Sequence, residues 1–88
     1  MQITFKAFAT LREYLPASGD PHARVGNEIA LDVPEGTAVQ AVIDRFHMPR
    51  ALVHLVLVNG NYIPPGERAG HPLRDGDALA IWPPIAGG

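Results

Sequence analysis

A single stretch of this sequence carries a long apolar face at helical spacing. In TAVQAVIDRF, residues 37–46, Val39, Val42, Ile43 and Phe46 fall at i, i+3, i+4 and i+7. Thr37 and Gln40 have the spacing of a capping box at its start. Pro49, in the following HMPR, ends it because the proline ring cannot continue the backbone ladder. One substantial helix covers one face of one sheet, so the strands around it must share that cover and leave their other face without a helix.

Strand patterns surround this helix. QITFKAF, residues 2–8, puts Ile3, Phe5 and Ala7 on one side and Gln2, Thr4, Lys6 and Phe8 on the other. EIALDV alternates likewise, with Ile29, Leu31 and Val33 inward, and predicts a strand paired with the first. HLVLVNGNYIP is apolar on both faces up to Asn59-Gly60, a dipeptide suited to a two-residue hairpin turn, and reads as a central strand with a short return strand. ALAIW, residues 78–82, places Leu79 and Ile81 on one face and Ala80 and Trp82 on the other. TLREYL, with Thr10 and Glu13 at capping-box spacing, predicts one or two helical turns stopped by Pro16. PASGDPHARVGN, residues 16–27, reads as a mobile surface loop. The expected class is α+β, a mixed five-stranded sheet packed on one main helix, with residues 1–88 as one domain.

Composition narrows the function. A chain of 88 residues with net charge −2 and pI near 6.0 has no basic field for holding phosphates, so nucleic acid is not an expected partner. The absence of cysteine excludes disulfides, thiolate–metal sites and thiol nucleophiles. His22, His47, His54 and His71 are too scattered for a metal motif, and Asp75 and Asp77 flank Gly76 as turn residues do. Ser18 is the one serine and lies in the predicted loop, so no serine-nucleophile constellation is available. The apolar run ALVHLVLV is broken by His54 and falls far short of the roughly 20 residues of a membrane helix. MQITFKAF lacks the pattern of a signal peptide. A cytoplasmic location and no membrane association are the expectations.

The final residues, IWPPIAGG, do not fit the sheet. Pro83 has no amide proton for a ladder, and Pro83-Pro84 favours an extended polyproline path. Residues 83–88 therefore read as an arm that reaches roughly 20 Å when extended. Glycine has no side chain, so Gly87 and Gly88 suit a channel too narrow for a Cβ, and the reactive group at the tip is the α-carboxylate of Gly88. A nucleotide-dependent enzyme can convert that carboxylate to an acyl-adenylate, from which a sulfur donor makes a thiocarboxylate and an amine makes an amide.

The closing PPIAGG, the preceding HPLRDGDALAIW, the central LVLVNG and the opening FATLREYL together resemble the MoaD/ThiS family of sulfur-carrier proteins, most of all the small subunits of molybdopterin synthase. The resemblance runs along nearly the whole chain. It implies a ubiquitin-like β-grasp fold and an E1-like adenylating enzyme that uses ATP on Gly88, with no cofactor bound to the carrier itself. It further implies a thiocarboxylate at Gly88 and insertion of Pro84, Ile85, Ala86 and Gly87 into the large subunit of molybdopterin synthase, which supplies the catalytic side chains. There the sulfur passes to a pterin precursor in molybdenum cofactor biosynthesis. By the same resemblance Phe8, Tyr62 and Trp82 lie at the partner interface. Alternation independently puts Phe8 and Trp82 on the wet side of the sheet. Sulfur delivery to thiazole, cysteine or another metabolite, and isopeptide modification of proteins, remain open at this point.

Overall fold

The computed structural model describes residues 1–15 and 26–84. Among these, five strands build one mixed sheet in the order β2-β1-β5-β3-β4, where β1 is Gln2–Ala7, β2 Glu28–Asp32, β3 Leu55–Val58, β4 Asn61–Tyr62 and β5 Ala78–Trp82. β1 is antiparallel to β2 and parallel to β5, and β3 is antiparallel to both β5 and β4. The helix α1, Val39–Arg45, lies on one face. Its Val39, Val42 and Ile43 are buried with Ile3, Phe5, Leu79 and Ile81, and the Phe46 ring stacks on Phe5 with centroids 5.2 Å apart. This is the expected α+β arrangement.

Three local expectations give way to tertiary structure. HLVLV is an interior strand, but the middle of the sheet is β5. The pairing that places β5 there brings Thr4 beside Ala78, and nothing in the sequence near either residue signals it. Neither capping box forms. Ala38 is the N-cap of α1, and the amides of Val39 and Gln40 instead donate to the carbonyls of His71 and Arg68. Thr37 Oγ1 donates to the Pro34 carbonyl at 2.6 Å, while the Gln40 side chain turns to Asp44. Residues Ala9–Tyr14 form a 3-10 segment capped by Phe8 without a side-chain bond. α1 stops at Arg45, before Pro49 is reached, because His47 takes a left-handed φ of 58°. The predicted loop falls mostly on residues 16–25, outside the described residues. Asn59 and Gly60, at φ of 50° and 84°, make the expected hairpin turn between β3 and β4.

Asp44 accepts from Gln40 at 2.9 Å and meets Arg50 at 3.1 Å. The Gln40 hydrogen bond first, and the Arg50 contact second, hold its carboxyl below the ordinary carboxylate range. A depressed value means that the stabilisation is present above that range and is lost as pH falls through the folded-state value. Because Arg50 and Asp44 are 72% and 46% exposed, Asp44→Asn is expected to cost less than about 1 kcal/mol near neutral pH. Melting curves against pH check this, since parent and variant should converge in acid.

Among the described residues one cation is inside. Arg68 is 5% exposed and donates from Nε to the Ile63 carbonyl, from Nη1 to Val53 and from Nη2 to His54, at 3.0, 3.1 and 3.1 Å. It joins the entry to β3 with the exit from β4, and its own carbonyl accepts from Gln40 of α1. Arg68→Met leaves those carbonyls without their charged donor and is expected to destabilise by about 2–4 kcal/mol. For a chain of this size that lowers the melting temperature by roughly 10 °C or more, measurable by thermal unfolding.

Candidate functional site

The face of the sheet opposite α1 is built from the alternate residues of each strand. β5 contributes Ala78, Ala80 and Trp82, each half-buried, while Leu79 and Ile81 point into the core. Leu55 of β3 stands opposite Trp82, and Leu57 stands opposite Ala80 on one side and Tyr62 on the other. Beyond the end of β1 the Phe8 amide donates to the Ile81 carbonyl at 3.0 Å, which continues the β1–β5 pairing by one residue. Phe8 therefore lies beside Trp82. Their rings stack at a centroid distance of 4.3 Å, only 3° from parallel. Ala9 follows at a left-handed φ of 52° and turns the chain sharply after Phe8.

The three aromatics picked from the sequence are not one cluster. Phe8 and Trp82 touch, whereas Tyr62, 53% exposed, sits on the edge strand with β3 between it and β5. Leu55 and Leu57 fill the gap and turn separate rings into one apolar strip across β5, β3 and β4. Neither leucine stood out in the sequence reading, although the signal was present. HLVLV is apolar on both faces, and with one helix available its second face has to be an exposed one.

This strip ends at the root of the arm. The Trp82 carbonyl accepts from the His54 amide at 2.9 Å, so the last residue of β5 is held on both flanks, by that bond and by the Phe8 stack. Pro83 and Pro84 follow outside any strand, as the missing amide protons require. Ile85, Ala86, Gly87 and Gly88 lie outside the described residues. Chemically, the described surface offers an apolar platform with a chain leaving from its edge. Among the described residues no group of His, Asp and Glu is placed to hold a metal ion, and no helix is long and apolar enough to cross a membrane.

The family model of the ThiS family matches residues 3–88. The chain belongs to the ThiS family. No curated protein sequence matches this ThiS-family chain, but solved structures do. It is similar to SAMP1 from Haloferax volcanii, with 22% identity over 100% of both chains and a TM-score of 0.67. It is similar as well to a Pyrococcus furiosus protein described as subunit 1 of a molybdopterin converting factor, at 22% identity over 96% of this chain and 98% of that one, with a TM-score of 0.64. The complex of subunits 1 and 2 of the molybdopterin-converting factor from Helicobacter pylori 26695 contains a further similar chain, 17% identical over 100% of both chains, with a TM-score of 0.57. At these identities the structures speak to the fold, which is the ubiquitin-like β-grasp. The family match places the ThiS-family chain among the MoaD/ThiS sulfur carriers.

Proposed function

We propose that this protein carries sulfur as a thiocarboxylate on Gly88 and delivers it to a large partner subunit in the synthesis of molybdopterin. The observation that carries the reading is the continuity of the apolar strip with the arm. Trp82 belongs to both, so a partner that covers Leu55, Leu57, Tyr62, Phe8 and Trp82 receives the chain from Pro83 onward at the border of the contact. The family match extends to Gly88 itself, and a likeness to one subunit of a two-subunit molybdopterin-converting factor supports the choice of partner.

The chemistry is carried by the chain end. In the activating enzyme the Gly88 carboxylate attacks the α-phosphorus of ATP and expels pyrophosphate. A sulfur nucleophile then attacks the acyl carbon, AMP leaves with the bonding pair, and a thiocarboxylate remains. The carrier contributes position: a rigid sheet, a pinned Trp82 and a tip without Cβ atoms. The test is to incubate the protein with ATP, its E1-like enzyme and sulfide, then measure intact mass with fragmentation. Exchange of one oxygen for sulfur on Gly88 supports the reading. A carboxylate that stays unmodified, while a control carrier is loaded, overturns it, and a lysine isopeptide in its place assigns the chain to protein modification.

A further inference from the structure

The open face is apolar mainly on one half. β5, β3 and β4 supply Ala80, Trp82, Leu55, Leu57 and Tyr62, joined by Phe8 beside Trp82 past the end of β1, whereas β2 and β1 supply Glu28, Ala30, Asp32, Gln2 and Thr4. Lys6 lies on the line between the halves. It is in register with Ala80 on its β5 side and with Glu28 on its β2 side. It is the one lysine in the chain and is half-buried. Among the described residues its ammonium forms no ion pair, since the pair that does form joins Arg50 and Asp44.

A surface that covers Ala80 comes down next to Lys6. An ammonium that loses water has to find an acceptor, or it opposes the contact. Glu28 is exposed on the outer strand, on the side away from the apolar half. We propose that Lys6 receives a carboxylate of the docking partner and so fixes the partner's register on the sheet. This rests on the reading of the open face as the docking surface. The acidic strand beside it sharpens the selection. A partner carboxylate displaced by one strand spacing, about 4.8 Å, would move from Lys6 to Glu28 and be repelled. The partner is thus a protein with an apolar patch bordered by an acidic side chain, seated over β5 and β3 with the acid toward β1.

The test measures association of the full-length protein with the molybdopterin-synthase large subunit encoded in the same genome, at several salt concentrations, for the parent and for Lys6→Arg, Lys6→Met, Lys6→Glu and Leu57→Glu. Melting curves verify that each variant is folded. Lys6→Arg should associate within about twofold of the parent, Lys6→Met more slowly with a flatter salt dependence, and Lys6→Glu about tenfold more slowly or worse at low salt. A structural role for Lys6 would not change the salt dependence. If Lys6→Met and Lys6→Glu keep the parent's rate and salt dependence while Leu57→Glu fails to dock, the role of Lys6 is refuted and the docking face stands. If Leu57→Glu docks like the parent, the docking face is refuted and Lys6 falls with it.

Discussion

A chain lacking Gly87 and Gly88 folds like the parent and is loaded with sulfur at least about a hundredfold more slowly. The two halves of this expected result have separate causes. All five strands, α1 and the buried core cluster lie at or before Trp82, so the deletion removes none of them, and the melting transition should stay where it is. Loading depends on where a carboxylate sits. Removing two residues draws the chain end back by about 7 Å and leaves a Cβ-bearing Ala86 at the tip, whereas misplacement by about 1 Å is enough to cost a factor near a hundred in a positioned reaction. Intact mass after incubation with ATP, activating enzyme and sulfide reads the loss. Loading that survives the deletion would take Gly88 out of the chemistry.

The second large effect is on docking. Trp82→Ala removes the residue shared by the apolar strip and the arm, and it leaves Phe8 without its stacking partner. Aromatic anchors of this kind commonly contribute about 2 kcal/mol or more, so the affinity for the large subunit should fall about thirtyfold or further. Tyr62→Ala, at the far edge of the strip and half open to water already, should have a smaller effect. Titration calorimetry with the large subunit distinguishes them. Equal losses for the two would place the centre of the contact over β3, between them.

How far these features could be read from sequence depends on whether they are local. The alternation in QITFKAF, EIALDV and ALAIW depends on strand geometry alone, and the structure buries Ile3, Phe5, Ala7, Ile29, Leu31, Val33, Leu79 and Ile81 as that pattern requires. The hairpin at Asn59-Gly60 is likewise set by two residues. The capping box of Thr37 and Gln40 failed because the amides at the start of α1 found carbonyls from residues 68 and 71, about thirty positions further along the chain. Arg68 is the extreme case. An arginine in the loop PGERAGHPL looks solvated, and only the convergence of three carbonyls from two other segments brings it inside. At the site, alternation sufficed to place Phe8 and Trp82 on the open face. It could not show that they touch, or that Leu55 and Leu57 join Tyr62 to them, because strand order decides both.

Strand order also governs when this protein can exist as a folded body during its synthesis. β5 is the last of the described elements to be made, yet it occupies the middle of the sheet, between β1 and β3. Until residues 78–82 have left the ribosome, the first strand and the β3–β4 hairpin have no shared neighbour, and closing the sheet means joining positions 4 and 78 across nearly the whole chain. A nascent chain interrupted anywhere before β5 therefore stays open to proteolysis. The open face therefore cannot be assembled ahead of the strand from which residues 83 and 84 lead away.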